Sequence, residues 1–223
     1  MAIGCALQGS FGMGLALFAV PLLALIDARL VPGPMLAAGT LTAFASAYRE
    51  RDALEPAGIG VSLLGLAIGT VLGAFALGTI GTGYLSPIFA SGVLVAIALS
   101  VARFRIHPTR WALLTGGGLA GLMGTMVGIH GPPIALVFQH AHPKQTRAML
   151  GAFFFVAFIG SVAALGLVGL FGILQLELAA SLLPGVWIGV LMAPLLSKFV
   201  SAARLRVAIL SISASSAILL FWR

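Results

Sequence analysis

Apolar residues fall along this chain in long blocks parted by short polar loops. A helix needs about 20 apolar residues to cross the hydrocarbon of a bilayer. Blocks of that order lie near residues 3–27, 30–48, 57–80, 84–102, 111–142, 148–171, 178–198 and 203–222, and they predict eight helical segments. The most charged connection is Arg49-Glu50-Arg51-Asp52-Ala53-Leu54-Glu55-Pro56. No soluble domain, low-complexity tract or long linker is left over. The pattern predicts an all-α integral membrane protein.

Two of the blocks are interrupted. Gly9, Gly12 and Gly14 break the first, and Gly124, Gly128 and Gly131 break the fifth, where Gly128-Ile129-His130-Gly131-Pro132-Pro133 lies at the centre. Non-helical backbone at membrane depth survives only where protein or a water-filled cavity satisfies it. The halves match elsewhere too. Pro34-Met35-Leu36 opens segment 2 as Ala148-Met149-Leu150 opens segment 6, and Ser62-Leu63-Leu64 before Gly65 and Gly69 recurs as Ser181-Leu182-Leu183 before Gly185 and Gly189. Matches in the same order predict two repeats, 1–105 and 106–223.

Charge then selects a topology, because Lys and Arg collect in cytoplasmic loops. If all eight segments cross, the basic residues divide 6 against 6. Letting segments 1 and 5 enter and return places 10 on one side, leaving only Arg29 and Arg223 opposite. The gain comes from segment 5, flanked by Arg103, Arg105 and Arg110 before it and Lys144 and Arg147 after it. Segment 1 follows by analogy. Each repeat is then a re-entrant glycine-rich hairpin plus three transmembrane helices. An odd number of crossings inverts the second repeat, a recurrent plan for secondary transporters.

Composition sharpens the class. The 223 residues are 61% hydrophobic and 8% charged, against roughly a quarter charged in soluble domains. The net charge of +7 sits in loops between apolar spans, so it reads as an orientation signal and not as a nucleic-acid surface. Cys5 is the single cysteine, which excludes an intrachain disulfide. Met1-Ala2-Ile3 gives no basic n-region, so the first block does not read as a signal peptide.

The glycine breaks carry the candidate chemistry. Where a half-helix starts, unpaired N–H groups and the positive end of the dipole favour an anion. Glycine lets backbone approach a ligand closely. The expected binding residues are Gly12, Met13, Gly14 and Leu15 at one tip and Gly128, Ile129, His130, Gly131 and Pro132 at the other. Donation is expected from Leu15 and Ala16, and from His130, Gly131 and Ile134, since Pro132 and Pro133 lack N–H groups. Close helix packing by small residues is the alternative account of these glycines.

His130 is an ionisable residue near mid-membrane, a placement that is functional by default. It is expected to hydrogen-bond an oxyanion or to bind one together with a proton; a neutral histidine bonded to a nearby carbonyl is the alternative. Gln8, Ser10, Thr40, Thr125, Gln139 and Arg147 are candidates to line a path, Arg147 by gathering anions at the cytoplasmic mouth. His140 and His142 lack a third ligand, so no metal site is expected. Gly65, Gly69 and Gly73, with Gly185 and Gly189, have spacing that brings helices close within one subunit or across a dimer seam.

Enzymatic motifs are missing: there is no His-Glu-x-x-His, P-loop or Gly-x-Ser-x-Gly. No acid falls mid-span, which argues against a carboxylate relay. An intramembrane enzyme using His130, His140 or His142, and a non-transporting assembly subunit, are the rival readings. No cofactor is expected, and the partners are a small anion and the bilayer, with a monomer or homodimer as the assembly.

Gly9-Ser10-Phe11-Gly12-Met13-Gly14 followed by Val20-Pro21-Leu22-Leu23 resembles the first glycine motif of the sulfite exporter TauE/SafE family. Gly124-Thr125-Met126-Val127-Gly128-Ile129-His130-Gly131-Pro132-Pro133, then Thr146-Arg147-Ala148, resembles the second. The resemblance covers essentially the whole chain. It implies export of sulfite, sulfonates or related sulfur-containing anions across a bacterial cytoplasmic membrane. Leu15 and Ala16 stand where more glycine is usual, and His130 where glycine is common.

Overall fold

The computed structural model describes the chain except residues 56–57, 81–83, 103–105, 140, 200–201 and 223, and describes no side chains at 196–199, 202–206 and 221. Arg103, Arg105, His140 and Arg223 therefore lie outside the described residues, as do the side chains of Lys198, Arg204 and Arg206. The helices are α1 (Ala2–Phe11), α2 (Leu15–Ile26), α3 (Gly33–Arg49), α4 (Ile59–Thr79), α5 (Leu85–Val101), α6 (Arg110–Val127), α7 (Gly131–Phe138), α8 (Pro143–Leu167), α9 (Ile173–Phe199) and α10 (Ala202–Phe221). Short 3-10 turns occupy Ala28–Leu30 and Arg51–Ala53. The architecture among the described residues is all-α.

Among the described residues, three stretches are long and apolar enough to cross a membrane: Ile59–Thr79, Pro143–Leu167 and Ile173–Leu195. On α4, Leu64, Ile68, Val71 and Phe75 each keep more than half their surface exposed. That stripe suits lipid, where apolar side chains need no cover. The chain is a multi-pass membrane protein.

Segments 1 and 5 are broken at the glycines. Gly12 closes α1 at φ 81, Gly14 opens α2 at φ 126, and Gly128 closes α6 at φ 87. Side chains rarely adopt these angles, so glycine stops each helix and redirects it. Gly4 lies against Leu15 and Ala19, and Gly116 against Pro133 and Val137.

Two helix starts differ most from the sequence reading, each by five residues. Segment 6 starts at Pro143, not 148, because His142 serves as N-cap and Pro143 opens the first turn. Lys144 and Arg147 are thus helical, not loop. Segment 7 starts at Ile173, where Gly169 at φ 77 has redirected the chain and Gln175 Oε1 accepts from the Gly172 N–H at 2.9 Å.

The helices interlock across the halves. α4 runs along α6 and α9 along α1; α3 packs on α8 and α9, α8 on α4, and α10 on α5 and α2. The α4–α6 seam is backbone against backbone. A methyl group added at Gly65 would strike the Leu114 carbonyl, and one at Gly69 the Gly118 carbonyl. Gly117 and Gly121 sit equally tight against the Ser62 and Leu66 carbonyls. On α9, Gly189 packs on Ala2 and Cys5, and Gly185 on Met1. The small-residue spacing therefore serves packing inside one chain.

A polar side chain meets one backbone gap left by a proline. Pro21 has no N–H, so the Leu17 carbonyl one turn earlier loses its helical donor. Ser213 Oγ of α10 lies 2.5 Å from it and 2.7 Å from the Ile209 carbonyl of its own helix, so one hydroxyl proton serves both. The bond satisfies α2 inside the membrane and ties it to α10.

Candidate functional site

The two breaks meet. A cavity between them is lined by Gln8, Met13, Gly14, Ala16 and Leu17 from the first, by Ile129, His130, Gly131 and Pro132 from the second, and by Phe154 and Phe158 of α8. Gly14 is the N-cap of α2 and His130 the N-cap of α7, so two half-helix starts converge on one space. The Phe18 N–H bonds the Gly14 carbonyl at 3.1 Å. That leaves the Leu15, Ala16 and Leu17 N–H groups unused within α2. In α7, which begins at Gly131, Pro132 and Pro133 hold the next two positions and lack N–H groups. The N–H groups of this opening are those of His130, Gly131 and Ile134.

Two buried polar atoms at this cavity have no partner. Gln8 is 3% exposed and His130 1%. Gln8 Nε2 and His130 Nδ1 make no hydrogen bond. Buried polar groups are paired in the great majority of cases; Thr42 Oγ1, Ser46 Oγ and Thr70 Oγ1 also make no hydrogen bond, but their residues do not line this cavity. The other ring nitrogen of His130, Nε2, lies 3.0 Å from Ser161 Oγ, which lies 2.8 Å from Thr125 Oγ1. Phe158 packs on the imidazole with centroids 5.3 Å apart. The ring also rests directly on Gly124, where an added methyl group would overlap it.

Electrostatics separate the two ends of the first break. The carbonyl end of α1 is met by a cation: the Arg49 guanidinium donates to the Gly9 carbonyl, while the aliphatic stem of Arg147 packs over Gly12. Glu50 links them, 3.2 Å from Arg147 and 3.9 Å from Arg49. With the negative end of α1 compensated, the positive end of α2 faces the cavity. Among the described residues, no carboxylate, Lys or Arg lines it.

Of the residues expected to bind, Met13, Gly14, Ile129, His130, Gly131 and Pro132 line the cavity, and so does Gln8. Gly12, Leu15 and Gly128 shape the breaks without facing it: Gly12 is under Arg147, Gly128 against Met35, and Leu15 is fully buried beside Gly4. The remaining path candidates do not line it either. Ser10 Oγ sits 2.7 Å from both the Ala6 and Ala193 carbonyls, tying α1 to α9, and Thr40 bonds its own helix at Leu36. Thr125 stands behind His130, Gln139 follows α7, and Arg147 is paired with Glu50. Sequence reasoning missed Leu17, Phe154, Phe158 and Ser161. Residues 154, 158 and 161 share one face of α8 at helical spacing, which was the available signal.

A sequence model of the family described as sulfite exporter TauE/SafE matches residues 1–220. The chain belongs to that family. It is a membrane transporter of small anions, not an enzyme. No curated protein and no solved structure matches the chain.

Proposed function

We propose that the chain exports a small sulfur-containing oxyanion, of the sulfite or organosulfonate class, across a bacterial cytoplasmic membrane. The observation that carries this reading is the pair of partnerless polar atoms, Gln8 Nε2 and His130 Nδ1, on a cavity where two half-helix starts converge. The family's exporter character supports the direction and the anion. The cavity is small, about 20 Å³, room for roughly one water. An oxyanion enters only when the two tips separate, which suits a transporter caught between its open states.

The fold plan belongs to the same proposal. Exchanging α1–α5 for α6–α10 in order reproduces the packing: α4 on α6 becomes α9 on α1, α8 on α4 becomes α3 on α9, and α5 on α7 becomes α10 on α2. That supports two repeats, 1–105 and 106–223. The contacts of Gly4 with Ala19 and of Gly116 with Val137 support breaks that turn back as re-entrant hairpins. With three crossings each, the repeats are inverted, and the site lies near the midplane as in other transporters of this plan.

Purified protein in liposomes tests the reading with a panel of sulfite, an alkyl sulfonate and a carboxylate. Sulfite or sulfonate flux should exceed carboxylate flux and fall in Gln8→Leu and His130→Ala. A carboxylate preference would replace the substrate class by another small organic anion. Equal flux in both variants would remove the site.

A further inference from the structure

We propose that Thr125 and Ser161 hold His130 as a neutral Nδ1–H donor, so that the site binds an unprotonated oxyanion and His130 carries no proton across. This rests on the anion site proposed above. The argument is a count of protons. A hydroxyl has one proton to give and lone pairs to accept. Ser161 Oγ has two partners, Thr125 Oγ1 at 2.8 Å and His130 Nε2 at 3.0 Å. Thr125 Oγ1 has no other partner among the described residues. Its proton therefore has one acceptor available, Ser161 Oγ. Ser161 then gives its own proton to Nε2, and a neutral ring whose Nε2 accepts carries its hydrogen on Nδ1.

The reverse chain is worse. If Nε2–H donated to Ser161 and Ser161 to Thr125, the Thr125 proton would be stranded in a fully buried place, in addition to the orphan at Nδ1. The forward chain leaves a single orphan, on a residue that lines the cavity.

The two partnerless atoms are then both donors: Nδ1–H of His130 and the amide Nε2 of Gln8. Donors on residues from both breaks, lining a cavity with no carboxylate among its described lining residues, call for a ligand rich in lone pairs. Charged oxygens of a sulfite or sulfonate provide them. A second proton on the ring would need both hydroxyls to reverse, and no other titratable side chain lines the cavity to favour it. Glu50 and Arg147 pair with each other over Gly12, outside the lining. Ser161 and Thr125 are thus positioning residues acting through His130.

Nitrogen NMR of the full chain in bilayers, labelled with 15N-histidine, reads the tautomer directly. The His130 signals are assigned by their loss in His130→Asn. Wild type should show a protonated Nδ1 and a bare Nε2 from mildly acidic to mildly basic pH, and an alkyl sulfonate, ionised throughout, should shift Nδ1 alone. Ser161→Ala should mix the tautomers and weaken sulfonate binding by about tenfold, the loss of one bond to a charged group; Ser161→Thr should restore both. A wild-type ring protonated on Nε2, or on both nitrogens, overturns the proposal even if sulfonate is transported. The expected tautomer with no response to any anion overturns the anion site instead, leaving the hydroxyl chain standing.

Discussion

Gly124→Ala should cripple the site without adding anything to the cavity wall. The methyl group would fall within the His130 ring, and the α6 backbone behind it is fixed by the glycine seam with α4. The ring has to yield. Forcing an extra methyl group into a packed interior costs about 1–3 kcal/mol, and giving up the 3.0 Å contact with Ser161 adds about 0.5–1.5 kcal/mol. A stability loss of roughly 1.5–4.5 kcal/mol follows from the two terms. Anion affinity should fall by about ten- to a hundredfold, since a hydrogen bond to a charged group contributes about 1.5–3 kcal/mol. Thermal unfolding in detergent and calorimetric titration with sulfonate measure the two losses. Gly160→Ala, where an added methyl group meets nothing within 4 Å, should leave both unchanged. The double variant Gly124→Ala with His130→Gly removes the clashing ring, so its stability should exceed that of Gly124→Ala alone. Neighbours that share a clash are non-additive. Additive losses, or a Gly124→Ala protein with wild-type melting and affinity, would refute the reasoning.

Gly14→Ala places a side chain at φ 126 and should cost about 1–2 kcal/mol by forcing a left-handed conformation; flux should fall with it, and a wild-type melting curve would count against the tip geometry. Gly69→Ala drives a methyl group onto the Gly118 carbonyl; melting should drop by several degrees, with sulfonate affinity per folded molecule retained, and affinity lost at constant melting would place Gly69 in the site. On a Cys5→Ala background, Thr109→Cys and Lys144→Cys, both exposed, should react with an impermeant maleimide from the cytoplasm; labelling from opposite faces would replace the α6–α7 hairpin by a crossing.

Much of this site was legible because its glycines interrupt apolar blocks that would otherwise be continuous. Gly12, Gly14 and Gly128 take positive φ, which no pattern of hydrophobicity prescribes but which glycine beside a helix end makes natural. What the sequence hid was depth. Ser161 lies 31 residues from His130, on a helix whose register against α6 is set by packing, and a serine in an apolar helix ordinarily bonds its own backbone. Arg147 misled for a similar reason. Read as a loop cation free to gather anions, it is one turn inside α8, where Glu50 engages it. The paired phenylalanines, Phe154 stacked on Phe158 at 6.0 Å, look like any core stripe until the cavity beside them is seen.

The α4–α6 seam bears on how such a protein moves. Side-chain interfaces slide by exchanging rotamers, but carbonyl against glycine has no rotamers to exchange. The two helices travel as one strut, and α6 carries the Gly128–His130 tip at its end. A shift of α4 would therefore carry α6 with it, and with α6 the tip that holds His130.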